Sequence, residues 1–283
     1  MYTQELISIN PATKETVGTV SQNTIDSLTN VFEKAKSSKD HWAKLRLAQR
    51  SRILRRVRRK FVEHMDELSE LIAAETGKTR WEGFLEVFTT VEHMRHVSRH
   101  GPESLRTEIR SPGIFQHKKC YVNYLPHGVV GVISPWNYPL ILTASPVVEA
   151  LMAGNAVVLK PSELTPLTGQ RMVELFHEGG VPEDTLQVVQ GLGDVGSAIV
   201  ESELVDMICF TGSVEVGRKI AMACAEQLKP VVLELGGKDP MIVLEDANLE
   251  RAAGAAVWGG FSNCGQTCIS AERIYVVENV ADR

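Results

Sequence analysis

The apolar positions of this chain change rhythm along its length. Through roughly the first 105 residues they are spaced for helices. Leu54, Val57, Phe61, Met65, Leu68 and Ile72 recur at steps of three and four, which predicts one face of a long helix, and Thr76-Gly77 predicts its stop. Residues 105–125 alternate weakly around Ser111-Pro112-Gly113 and predict a hairpin. From Gly128 onward short β-branched runs take over, at 129–133, 156–159, 186–189, 207–210, 231–235, 241–244 and 274–277. Helical patterns lie between many of them, at 140–152, 169–177, 195–200, 214–225 and 249–259. Strands interleaved with helices predict an α/β fold, a doubly wound parallel sheet behind N-terminal helices and a hairpin.

Composition limits what such a fold does. The 283 residues are 43% hydrophobic and 23% charged, ordinary for a globular protein. A net charge of -5 argues against general binding of nucleic acid or of a membrane surface. The basic run Arg50, Arg52, Arg55, Arg56, Arg58, Arg59 and Lys60 reads as a solvated helix face paired with nearby acids rather than as a nucleic-acid contact. Apolar runs fall short of the ~20 residues that span a bilayer. Residues 1–10 lack the basic start and apolar stretch of a signal peptide. Cys120, Cys209, Cys224, Cys264 and Cys268 make an odd set with no framework spacing. A reducing, cytoplasmic setting is expected, in which each thiol is core filler or reactive.

Ligands of doubly wound sheets bind at the carboxyl ends of the strands. The residues just after each predicted strand are therefore the informative ones. They read Ser134-Pro135-Trp136-Asn137-Tyr138-Pro139, Lys160-Pro161-Ser162-Glu163, Gly191-Leu192-Gly193-Asp194-Val195-Gly196, Thr211-Gly212-Ser213 and Gly236-Gly237-Lys238. Glycine and charge at strand end after strand end suggest a dinucleotide site. The 191–196 run matches G-x-G-x-x-G, yet two βα units precede it and no strand-end acid follows at the expected distance. The turn from Gly212 to Gly217 is the other phosphate candidate, because a helix opens there. The loop Phe261-Ser262-Asn263-Cys264-Gly265-Gln266-Thr267-Cys268 is polar, unlike the apolar run around Cys209. Loop position alone leaves Cys268 open between a reactive thiol and an ordinary loop residue. Cys264 and Cys268 have no neighbouring His and no second pair, so no metal is expected.

Taken together, Pro135-Trp136-Asn137, Lys160-Pro161-Ser162-Glu163, Phe210-Thr211-Gly212-Ser213 with Gly217, Glu234-Leu235-Gly236-Gly237-Lys238 and Gly265-Gln266-Thr267-Cys268 resemble the aldehyde dehydrogenase superfamily in residues and order. The resemblance implies oxidation of an aldehyde to a carboxylic acid with NAD. It implies Cys268 as nucleophile, Glu234 as general base and Asn137 as oxyanion donor. Lys160 and Glu163 resemble the ribose ligands, and the Glu163 carboxylate favours NAD over NADP by repelling a 2′-phosphate. Gly212, Ser213 and Gly217 resemble the pyrophosphate turn, and Gly193 an adenine contact. Ser134, Pro135, Trp136, Leu235 and Gly236 complete the expected cofactor site.

The resemblance also implies an organisation. Residues 1–235 correspond to a Rossmann-like NAD-binding domain carrying an oligomerisation-type hairpin. Residues 236–283 correspond to the start of a second, catalytic α/β domain. Family members are longer, so the match is to their N-terminal portion and the catalytic domain is expected to be truncated. A homo-oligomer is expected of the full-length family and is left open for this chain. The partner expected is a small-molecule aldehyde, and the alternative is a non-catalytic NAD-binding fragment.

Overall fold

The structure is a computed structural model and describes residues 5–283. Residues 1–4, part of the stretch read above for a signal peptide, lie outside the described residues.

Strands β1 (Glu5–Ile9) and β2 (Thr16–Ser21) pair antiparallel, a hairpin where the spacing predicts only helices. The pairing is local, and Leu6 and Ser8 alone turn inward on β1, so the alternation is too short to read. Four helices follow: α1 (Ile25–Lys44), α2 (Leu47–Glu63), α3 (Met65–Thr76) and α4 (Arg80–Ser104). The expected long helix is thus two. His64 leaves helical geometry (φ -108°, ψ 21°), ending α2 and opening α3, while the apolar rhythm runs on across the break. The predicted stop holds: Gly77 caps α3 in the left-handed region at φ 73°.

The basic run is not one solvated face. Arg50 is buried, and its guanidinium donates to the carbonyls of Met152 (3.0 Å), Ala43 (3.1 Å) and Leu45 (2.9 Å). It ties the end of α1 to the end of a helix a hundred residues on. Arg56 likewise donates to Gly179 O at 3.0 Å.

The second hairpin appears where expected, from β3 (Glu108–Arg110) and β4 (Cys120–Val122). Then come β5 (Val129–Ile133), α5 (Ile141–Ala153), β6 (Ala156–Lys160), α6 (Pro166–Glu178), β7 (Leu186–Val188), α7 (Gly193–Glu201), β8 (Met207–Gly212), α8 (Val214–Glu226) and β9 (Val231–Leu235). The five strands form one parallel sheet in the order β7-β6-β5-β8-β9, a doubly wound α/β fold. Alternation within the strands divides the core. Val130, Val132, Val157 and Leu159 pack towards α2–α6, whereas Val129, Val158 and Ile208 pack towards α1, α7 and α8. Cys209 packs against the first layer and is half-buried.

The chain closes with β10 (Pro240–Val243), α9 (Leu249–Phe261), a short 3-10 turn at Ser262–Gly265, β11 (Arg273–Val276) and α10 (Glu278–Ala281). β10 and β11 pair parallel in a sheet of their own. Among the described residues, no helix is long and apolar enough to cross a membrane.

Candidate active site

The winding reverses at β5, whose neighbours β6 and β8 lead to helices on opposite faces. At that end of the sheet lies a cleft of about 840 Å³. Ser134, Pro135, Trp136 and Asn137 line it from the loop after β5, and Lys160 and Glu163 from the end of β6. Gly193 enters from α7, Gly212 and Ser213 from the β8–α8 turn, and Glu234, Leu235 and Gly236 from the end of β9. Cys268 reaches it from the far side of β10 and α9. Gly217 is set back from this wall. A Cβ there would lie 2.5 Å from Leu235 Cδ2, so glycine is what lets α8 approach β9. Leu142, Val216 and Ile220, which the strand-end reading missed, add an apolar lining beside Phe210.

The cleft has polar groups suited to a dinucleotide. Ser213 caps α8, its Oγ accepting from Val216 N at 3.3 Å, and the remaining first-turn N–H groups suit a phosphate. Lys160 is almost wholly buried, with Nζ 3.6 Å from Glu163 Oε2 and donating to Pro161 O at 3.2 Å. Burial pushes its ammonium pKa down, while the Glu163 and Asp194 carboxylates push back. Ser134 Oγ is buried and has no hydrogen-bond partner among the described residues, an orphan that a ligand in the cleft would satisfy.

At the thiol end, Cys268 is exposed to the cleft. The turn before it holds Asn263, Cys264 and Gly265 at φ 57°, 58° and 75°, three successive left-handed residues. Such a run is costly for the non-glycine members, Cys264 most of all, and it persists only under support from neighbours. Asn137 Nδ2 donates to Gln266 O at 2.8 Å, and the Tyr138 and Thr267 hydroxyls lie 3.1 Å apart. Cys264 points elsewhere, its Sγ 3.9 Å from both Gly77 O and Glu82 Oε2. Cys209 sits on the opposite side of the sheet, where burial pushes its thiol up to about 11. Glu234 is exposed at the end of β9 and borders both the cleft and a second hollow across the sheet.

Three residues that sequence reasoning missed, Lys78, Glu82 and Glu86, surround this junction. Lys78 Nζ is fully buried against Glu86 at 2.8 Å. Burial pushes the Glu86 carboxyl upward, against the pull of Lys78 and of two backbone amides. Glu82 Oε1 accepts from Asn263 N at 2.7 Å. The only sequence signal was a lysine at a helix stop with acids four and eight positions later, which reads as surface charge.

The Aldehyde dehydrogenase family pattern matches residues 2–283. The chain is 41% identical over 238 residues to a 4,4'-diapolycopene aldehyde oxidase from Methylomonas sp, covering 83% of this chain and 45% of that relative. Among solved structures it superposes on an NADP dependent enzyme of E. coli with a TM-score of 0.95 at 34% identity, covering 99% of this chain and 58% of that one. It also superposes on the NAD+ complex of an aldehyde dehydrogenase from Bacillus cereus, with a TM-score of 0.94 at 33% identity over 99% and 57% of the two chains. The chain belongs to the aldehyde dehydrogenase family. It spans about half the length of the curated relatives it matches.

Proposed function

We propose that this chain carries the cofactor site and the nucleophile of an aldehyde-oxidising dehydrogenase that uses NAD. The reading rests on one observation. Cys268, Asn137 and Glu234 come from three distant segments and line a single cleft with Lys160, Glu163 and Ser213. In this reading residues 1–235 are the NAD-binding domain and 236–283 open the catalytic domain.

An aldehyde has no hydrogen that leaves readily as hydride, so a nucleophile must first make its carbon tetrahedral. The Cys268 thiolate adds to the carbonyl carbon, and the carbonyl electron pair moves to oxygen. That oxyanion accepts from the Asn137 side-chain amide and from the Cys268 N–H. One such donor is worth about 2.7–4 kcal/mol in the transition state. When bound, the dinucleotide supplies the acceptor for the departing hydrogen and its two electrons, which leaves a thioester on Cys268. Glu234 then takes a proton from water as the water attacks the thioester carbon. The acid leaves, and the thiol is restored.

The residues present fit the cofactor through the orphaned Ser134 hydroxyl, the capped start of α8 and the Lys160–Glu163 pair. Glu163 sets the preference for NAD, since its carboxylate stands where a 2′-phosphate would add like charge. A second reading, an NAD-binding fragment without chemistry, is favoured by the open apolar surface of α9.

The test is aldehyde-dependent reduction of NAD, with thiol labelling, in Cys268→Ser and Cys264→Ser. Turnover and cleft labelling are expected to vanish in the first and persist in the second. The reverse pattern defeats the assignment of Cys268, and NAD binding without turnover in the unaltered chain selects the fragment reading.

A further inference from the structure

The backbone carbonyl of Asn137 is held from two sides, by groups for which the proposed mechanism has no use. The buried Lys78 ammonium donates to it at 2.9 Å and to Glu86 Oε2 at 2.8 Å. The other Glu86 oxygen accepts from the N–H groups of Leu140 (2.7 Å) and Ile141 (3.1 Å), where α5 begins. One ion pair therefore grips the loop after β5 at its middle and at its end. From the opposite side Asn263 Nδ2 donates to the same Asn137 carbonyl at 3.0 Å and to Gln266 O at 3.3 Å. Asn263 is itself anchored through its N–H to Glu82, the residue that closes the capping box of α4. The α3–α4 junction thus holds both the loop that carries Asn137 and the turn that precedes Cys268.

This is a poor arrangement for stability. A buried ion pair recovers its desolvation cost only with near-ideal geometry, and apolar residues would fill the space as well. Asn263 also sits in a left-handed backbone and leaves its Oδ1 buried without a partner among the described residues. What the arrangement gives is direction. A side-chain amide has two protons. Gln266 O takes one proton of Asn137 at 2.8 Å, which fixes the rotation of the amide and leaves the other for the cleft. That aim holds only while the Asn137 backbone and the Gln266 carbonyl keep their separation, and Asn263 bridges those two carbonyls directly.

We propose that Lys78, Glu86 and Asn263 are positioning residues, which clamp the Asn137 carbonyl so that its side-chain amide stays aimed at an oxyanion forming on Cys268. The inference rests on the oxyanion role given to Asn137 above. A misplacement of about 1 Å in such a donor costs on the order of 100-fold in rate.

The experiment compares two reactions of Cys268 in the full chain. Nitrophenyl acetate acylates the thiolate through a tetrahedral oxyanion: the C–S bond forms, nitrophenolate leaves, and water later releases acetate. Iodoacetamide alkylates the same sulfur by displacing iodide, with no oxyanion. Asn263→Gly removes the clamping amide and keeps positive φ accessible. Lys78→Met/Glu86→Gln removes the ion pair and leaves no lone buried charge. In each, the acylation kcat is expected to fall about 10–100-fold at unchanged KM, with alkylation at the wild-type rate. Unchanged acylation overturns the inference, and so does an equal fall in both reactions, which marks a general loosening. Asn137→Ala separates the two layers of argument. If it slows acylation while Asn263→Gly does not, the clamp alone is wrong. If it leaves acylation intact, the oxyanion role falls and takes the clamp with it.

Discussion

Two βαβ units in this chain follow the same alternation and end in opposite surroundings. In β5–α5–β6 nearly every strand residue is buried, and α5 sits between the sheet and α4. In β10–α9–β11 only Val243 of the two strands is buried, and all four residues of β11 are exposed. Helix α9 rests on β10 with no fully buried position, and Val257, Trp258 and Phe261 lie exposed along it. Parallel strands are ordinarily covered on both faces. Apolar rhythm therefore specifies the element, while burial depends on layers that other segments must supply. The division runs through the cleft, since Lys160, Glu163 and Ser213 stand at the ends of the covered sheet and Cys268 on the open unit.

The contrast breaks most simply at two phenylalanines. Phe176 of α6 is wholly buried, edge-on to Phe61 at 5.7 Å, and Phe261 of α9 is 76% exposed. Phe176→Ala is expected to lose about 3–5 kcal/mol in urea unfolding. Phe261→Ala is expected to stay within about 0.5 kcal/mol of wild type and to reduce self-association in light scattering. Equal losses would mean that α9 is packed after all.

Amide exchange sharpens the same division. Backbone N–H groups of β5 and β6 are expected to exchange on the order of 100-fold more slowly than those of β10 and β11, because local opening is easiest where few buried contacts resist it. Mass spectrometry of exchanged peptides would read this, and comparable protection would argue that the two units open together.

On the cofactor side, Glu163→Ser is expected to shift the NAD:NADP binding ratio towards NADP. Loss of one like-charge contact in a partly screened cleft is worth on the order of 1–2 kcal/mol. A ratio unchanged in calorimetry would remove Glu163 from that role.

The smallest effect belongs to an ion pair that ties α3 to α6 in the covered half. Arg171 donates to Glu67 at 2.6 Å, which holds the Glu67 carboxyl below its usual range. A depressed carboxylate stabilises the fold above its unfolded pKa of about 4.3, and that contribution is lost as pH falls through the folded value. Glu67 is half-exposed, so solvent limits the gain to under about 1 kcal/mol. Wild type should therefore lose slightly more stability than Glu67→Gln between pH 5 and pH 3, as followed by thermal melts.

The parallel sheet was legible because its strands are short β-branched runs with one periodicity each, and its strand-end residues meet in one cleft. The break at His64 was not, since positions spaced by three and four stay in phase across a single non-helical residue. Nor was the burial of Arg50 or Lys78. A charged side chain turns inward only when partners remote in sequence accept its protons, and those are Met152 O for Arg50 and Asn137 O for Lys78. The Asn137–Gln266 contact escaped for the same reason, although both residues stand in motifs that carry the family resemblance.

That contact also sets an order of events. Asn137 Nδ2 and Gln266 O are 129 positions apart, and the five-stranded sheet lies almost wholly between them. Closing so long a loop is entropically unfavourable until the intervening chain has compacted. The cleft at the sheet's carboxyl end is therefore expected to assemble before the thiol reaches it. In that order Cys268 is expected to arrive late, as an exposed sulfhydryl remote from the Asn137 amide, and to come beside it only when the turn at Asn263 docks on a sheet that is already built.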